Sequence, residues 1–296
     1  MSRPKFGIAL GGGAARGWAH IGVLRALAKQ VLRPDCIAGV SIGALVGAAS
    51  ATDQLDKLEA WVRALSRLDV LKLLDARFRG GVIQGDRVMS AIKNVLSDHA
   101  IEDLPVPYGA VATDIESGRE IWLRKGSLMA AVRASCALPG LFAPSLLDDR
   151  WLIDGGLVNP VPVSLCYAMG ADLVVAVNLN AHSFPRFARR EPGRQSGERL
   201  PDEQSYLEKV ANVFEGWRSG APGVIDVLSA AIGIMQQRIA RSRLAGEPPE
   251  VEIRPLVDVE FSDFHRAAEA IAAGEQAVEV AAAALDRLRG SLKPES

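Results

Sequence analysis

Hydrophobic and polar positions along this chain follow two periods. Short continuous apolar runs closed by glycine or proline read as buried strands, and apolar residues every third or fourth position read as helices. Lys5–Leu10 is the first run and ends in three glycines. Ile21, Leu24, Leu27, Ala28 and Val31 share one stripe, which predicts a helix over Trp18–Val31. Pro34 opens a second strand, PDCIAGV, that stops at Ser41, and a small-residue helix starts at Ile42. Leu55–Leu74 reads as one further helix. Pro107–Thr113 and Glu120–Leu123 read as strands joined through Glu116-Ser117-Gly118. Ser127–Ala137 is helical until Pro139-Gly140, and Leu146–Leu147 and Trp151–Ile153 flank Asp148-Asp149 as a second hairpin. Val161–Gly170 is a helix before the β-branched strand Asp172–Leu179. This alternation predicts an α/β protein with a mostly parallel sheet.

After Leu179 the pattern changes. His182–Pro201 holds Arg186, Arg189, Arg190, Arg194 and Arg199 against Glu191 and Glu198, with almost no aliphatic residue, and the stretch 182–204 reads as a mobile loop. Two C-terminal helices follow, Val224–Leu244 and Phe264–Leu288, separated by VEIRPLV. In the first, Val224, Leu228, Ala231, Ile232, Met235 and Ile239 recur at helical spacing, and Gln236, Gln237 and Arg238 are left for the other side. Such a helix packs on a core, or meets lipid with Arg238, Arg241 and Arg243 toward phosphate head groups. No internal repeat is visible, and residues 1–296 read as one domain with a late insertion.

Composition narrows the function. The chain has 296 residues, 49% apolar and 23% charged, which are the proportions of a folded globular protein. Its 34 Lys+Arg against 35 Asp+Glu leave a net charge of −1, and nothing suggests nucleic acid. The three cysteines, Cys36, Cys136 and Cys166, lie too far apart for a disulfide framework or a CxxC motif. Four scattered histidines supply no H-x-x-x-H pair, so no metal or cofactor is expected. The N-terminus lacks a secretory signal, and no apolar run reaches the roughly 18 residues that span a bilayer. A cytoplasmic protein is expected, peripheral at the membrane if the basic loop and the helix at 224–244 touch lipid.

Three segments could carry chemistry. Gly39-Val40-Ser41-Ile42-Gly43 fits G-x-S-x-G between a strand and a helix, the setting a nucleophile elbow needs. A plain glycine-rich turn is the alternative. Gly11-Gly12-Gly13-Ala14-Ala15-Arg16-Gly17 follows the first strand and opens a helix, where backbone N–H groups can hold an anion. A dinucleotide fingerprint fails because Arg16 stands where its third glycine belongs, and a P-loop fails for want of G-K-[ST]. No histidine recommends itself as a base: His265 starts a helix, and His20, His99 and His182 fit packing or surface roles. Asp154-Gly155-Gly156 does, because a strand delivers a carboxylate into two glycines that let another backbone come close, although DGG taken alone also reads as a plain turn.

GGGAARG at 11–17, GVSIG at 39–43 and DGG at 154–156, in this order, resemble the patatin-like phospholipases, particularly the bacterial branch related to neuropathy target esterase. GWAHIGVLRAL, ATDIESGRE, RASCALPGLFAP and SRLAGEPP extend the resemblance over most of the chain. It implies a three-layer α/β/α sandwich and a Ser–Asp dyad, with Ser41 as nucleophile and Asp154 as general base. It further implies an oxyanion hole at Gly11, Gly12 and Gly13, with Gly11 shaping the turn, and Arg16 orienting that loop or contacting an anion. Gly39 and Gly43 would shape the elbow, and Gly155 and Gly156 the turn after Asp154. The implied substrate is an acyl-ester lipid of the phospholipid or lysophospholipid type. Two other readings stand beside it: a regulatory or scaffold protein on the same fold, and a Ser–His–Asp esterase using His265.

Overall fold

Five strands run parallel through the centre of the molecule: β1 (Phe6–Leu10), β2 (Cys36–Val40), β3 (Tyr108–Asp114), β7 (Leu173–Val177) and β8 (Val251–Ile253). The computed structural model describes residues 3–73, 85–181, 224–260 and 262–293. The order runs β8-β7-β1-β2-β3, with the antiparallel strands β4 (Glu120–Leu123), β5 (Ser145–Leu147) and β6 (Arg150–Asp154) at the β3 end.

The register of β3 decides where the site forms. Ala110 faces both Gly39 of β2 and Leu123 of β4, so those two strands occupy opposite edges of β3. Ala112 faces both Ile121 of β4 and Asp154 of β6. Strand β6 therefore shares an edge of β3 with β2, and takes it over at Ala112 where β2 stops opposite Val111. The residue after Val40 is Ser41, so the end of β6 meets the end of β2.

Helices cover both faces of the sheet, a three-layer α/β/α sandwich. The side chains alternate with period two, as strands require. Phe6, Ile8, Leu10 and Ile37 point into the larger core, beneath α1 (Ala19–Lys29), α2 (Ile42–Ala51), α6 (Leu128–Ser135), α9 (Ala267–Val280) and α10 (Ala282–Ser291). Ala9, Ala38, Val40 and Ala176 face the other core, built from α7 (Val163–Ala168) and Ala240 of α8 (Val224–Gly246).

Several elements differ from the sequence reading. The helix expected over Leu55–Leu74 is two, α3 (Leu55–Ala64) and α4 (Arg67–Leu73). A capping box starts the second: Asp69 N–H donates to Ser66 Oγ at 3.2 Å and Ser66 N–H to Asp69 Oδ2 at 3.1 Å. Helix α5 (Asp86–Val95) was not anticipated. The last predicted helix is likewise two, α9 and α10. The Arg-rich stretch 182–204 lies outside the described residues.

Helix α8 turns the other way from its sequence pattern. Ala230, Ile232, Gln236, Gln237 and Ala240 face inward, whereas Val227, Leu228, Ala231, Ile234 and Met235 are exposed. Gln236 and Gln237 were assigned to the outer side; both are buried, because their amides meet the Asp154 turn and the Ala181 carbonyl.

Candidate active site

The elbow is built by close approach and backbone strain. Ser41 has φ 55° and ψ −127°, a conformation a side chain rarely adopts and one that costs on the order of 1–3 kcal/mol. A Cβ on Gly39 would lie 2.6 Å from Ala44 Cα, and one on Gly43 would lie 2.2 Å from the Leu10 carbonyl oxygen. Only glycine at both positions lets α2 cross over β2 and β1. Ser135, fully buried and not anticipated from sequence, holds the strained residue. Its Oγ accepts from Ser41 N–H at 2.9 Å and donates to the Val111 carbonyl at 2.6 Å. The α2 N-terminus adds partial positive charge beside Ser41 Oγ.

Asp154 is fully buried at the end of β6. Its Oδ1 accepts from Gly156 N–H at 2.8 Å, and Oδ2 has no hydrogen-bond partner. Burial pushes its carboxyl up to about 6, a rise that the neighbouring Ser41 hydroxyl and Gly156 N–H oppose. The two side chains are thus adjacent without a hydrogen bond of ordinary geometry, a common state of an unliganded site. Gly155 is sterically required, since a Cβ there would meet the Val111 carbonyl oxygen at 2.2 Å, whereas one on Gly156 would meet the movable Gln236 Nε2 at 2.5 Å.

The glycine loop corrects one expectation. Gly11 N–H donates to the Val177 carbonyl and Gly12 N–H to the Pro160 carbonyl, both at 3.0 Å. Neither is free to hold an oxyanion, because a loop buried between β7 and the Asp154 side must pair its backbone donors. Gly13 N–H donates to none of the described residues, and Ile42 N–H opens α2 where helix donors go unpaired. Arg16 lies against the loop. Its guanidinium reaches the Gly13 carbonyl at 3.3 Å, Asn180 Oδ1 at 3.1 Å and the Leu179 carbonyl at 3.5 Å. Burial lowers its pKa to about 10. Asn180 Nδ2 closes the tie on the Gly12 carbonyl at 3.2 Å.

Among the described residues no histidine is hydrogen-bonded to Ser41. His20 is buried with Nε2 2.7 Å from the Gly11 carbonyl, and burial lowers its pKa to about 4, so it orders the loop as a neutral donor. His265 accepts from Arg67 Nε–H at 3.1 Å, and its Nδ1 lies 4.0 Å from Asp263. The ring nitrogen a serine would need is already engaged. His99 is exposed, and His182 lies outside the described residues.

Ser41 opens into a cavity of about 110 Å³. Its walls are Leu45, Trp61, Val88, Met89, Leu138 and Phe142 with other apolar side chains, and among the described residues Arg133 is the one charged residue that lines it. Cys136 of the same wall lies beside Asp154, and burial and that carboxylate push its thiol up.

A serine on a strained strand–turn–helix elbow, beside a buried carboxylate at the C-terminal edge of a mostly parallel sheet, is the arrangement of a serine-hydrolase site. Comparison with known proteins narrows the class. The profile of the family described as Patatin-like phospholipase matches residues 8–167, and the chain belongs to that family of lipid hydrolases. An uncharacterized NTE family protein of Mycobacterium tuberculosis is 33% identical over 323 residues, covering 92% of this chain and 90% of that one. The neuropathy target esterase sws of Drosophila melanogaster is 35% identical over 184 residues, covering 59% of this chain and 13% of that protein. A crystal structure of VipD from Legionella pneumophila aligns with a TM-score of 0.48 and 14% identity over 73% of this chain and 54% of that one.

Proposed function

We propose that the protein is a serine esterase that hydrolyses acyl-ester lipids, of phospholipid or lysophospholipid type, through an acyl-enzyme on Ser41. The observation that carries this reading is the juxtaposition of three features. They are the strained Ser41 elbow, the buried Asp154 with an unpartnered Oδ2, and a nearly wholly apolar cavity opening at the serine. Ser41 Oγ attacks the ester carbonyl carbon and its proton passes to Asp154 Oδ2. The oxyanion is met by the Gly13 and Ile42 N–H groups, whose alignment is set in advance by the Arg16–Asn180 tie and by α2. The intermediate collapses, the C–O bond to the alcohol breaks, and Asp154 returns the proton to the leaving oxygen. Water then attacks the acyl-serine with Asp154 taking its proton, and the carboxylic acid leaves as Ser41 is restored.

The apolar wall suits an acyl chain, which gains roughly 0.8 kcal/mol per methylene buried. Among the described residues no helix is long and apolar enough to cross a membrane.

The test compares wild type with Ser41→Ala, Asp154→Asn and His265→Ala on p-nitrophenyl esters of increasing chain length, then on lysophospholipid. Loss of kcat by about 10³-fold or more is expected for the first two, and less than about threefold for the third. Folded wild type with no turnover above the Ser41→Ala background on any of these substrates would favour a scaffold instead.

A further inference from the structure

Helix α8 presents an apolar row to the outside. Val227, Leu228, Ile234 and Met235 are 46%, 39%, 45% and 48% exposed, with Ala231 between them. At 100° per residue these positions and the exposed Arg238 and Arg241 share one side of the helix. The side is apolar for its first turns and cationic after them. A helix whose role is only to pack would turn this row to the core. Here the core contact is made by Ala230, Ile232, Ala240 and two glutamines, and Val227, Leu228, Ile234 and Met235 are left outside.

The inward side of the same helix rests on the active site. Gln236 lies against Gly156, whose N–H holds Asp154 Oδ1. Arg243 pairs with Glu120 of β4 at 3.2 Å, and Glu120 accepts from buried Asn159 at 2.7 Å, just past the Asp154 turn. Leu228 lies over Gly140, in the segment whose Leu138, Leu141 and Phe142 wall the cavity.

We infer that the outer side of α8 is the docking surface for an anionic lipid bilayer. The apolar row enters the acyl boundary, Arg238 and Arg241 lie at the level of the phosphates, and the cavity-walling segment under Leu228 is brought against the membrane. Two features fix the occupant. The cationic end complements an anionic surface, where each basic residue adds roughly 1 kcal/mol. The adjoining cavity takes the acyl chain of a molecule that resides in such a surface. The inference rests on the reading of the protein as a lipid hydrolase and adds where it meets lipid.

The test is flotation of the full chain with vesicles of phosphatidylcholine alone or mixed with phosphatidylglycerol. Wild type is expected to float with the mixed vesicles and to be released by salt. Arg238→Gln with Arg241→Gln lowers the partition coefficient about thirty-fold. Ile234→Glu with Met235→Glu abolishes flotation, whereas Val280→Glu, at a still more exposed valine of α9, leaves it unchanged. The glutamate pair still hydrolyses a water-soluble short-chain ester at the wild-type rate, which separates failure of docking from failure of the hydrolase reading. A Met235→Cys thiol is labelled by a water-soluble maleimide in buffer and protected by mixed vesicles. Wild type that floats with neither vesicle, or variants that float like wild type, overturn the inference. So does a Met235→Cys thiol already protected in buffer, since another part of the chain or a second copy then covers this side.

Discussion

A carboxylate that is to accept a proton from serine must be more basic than aspartate in water, and burial makes Asp154 so. With its carboxyl raised to about 6, kcat for a soluble ester is expected to climb with pH through that value and level off above it. The same shift bears on stability. Between the ordinary value of 3.8 and about 6, the folded state keeps a proton that the unfolded state has released. Stability therefore falls as pH rises through this window, by on the order of 3 kcal/mol if no other group compensates. Asp154→Asn removes that term. Its melting temperature should exceed that of wild type at about pH 8, and the two should converge below about pH 4. A pH-independent difference in calorimetry would show that Asp154 is not an ionised, desolvated group in the folded protein. Ser41 and Asp154 were both legible in the sequence, through the glycines around them. Ser135 was not, since a lone serine inside RASCALPG carries no local mark of the backbone it supports.

At the scale of elements, close packing decides more than propensity. Helices α1 and α9 cross where two glycines face each other's backbone. A Cβ on Gly22 would lie 1.9 Å from the Ile271 carbonyl oxygen, and one on Gly274 would lie 2.0 Å from that of Ala19. Gly22→Ala and Gly274→Ala should each lower unfolding free energy by about 1–3 kcal/mol in urea titrations, because the helices must separate. Gly233→Ala in α8 is the counter-case: nothing lies within 4 Å of its Cβ position, so helix propensity alone should raise stability by up to about 1 kcal/mol. Equal responses at the three sites would contradict this crossing. The sequence showed both helical stripes but not their contact, which spans some 250 residues of chain. The break between α3 and α4 was missed, although Ser66 and Asp69 stand three apart as a capping box requires.

For the whole molecule, the cavity is the feature that several elements make together. Leu45 of α2, Trp61 of α3, Met89 of α5 and Cys136 after α6 converge on it with Trp18 and Phe264. Met89→Trp should fill part of this space. The ratio of kcat/KM for dodecanoyl over butanoyl p-nitrophenyl ester is then expected to fall by roughly tenfold or more, the worth of two buried methylenes. An unchanged ratio would place the acyl chain elsewhere. Neither the cavity nor its lining could be read along the chain: α5 was missed, and Trp18 and Phe264 sit at opposite ends of the sequence.

The strand runs, the elbow around Ser41 and the turn after Asp154 are written locally, in hydrophobic period and in glycines whose absent Cβ atoms make room. Those constraints act over a few residues, so a sequence can state them. Three things were settled only by the folded chain. Strand β6 inherits the edge of β3 where β2 ends, which brings Asp154 to Ser41. The Gly11 and Gly12 N–H groups are spent on the Val177 and Pro160 carbonyls, respectively. Helix α8 buries its glutamines and exposes Val227, Leu228, Ile234 and Met235 because partners for the amides exist on the sheet side. Each depends on which distant backbone is nearby, and periodicity along one segment carries no information about that.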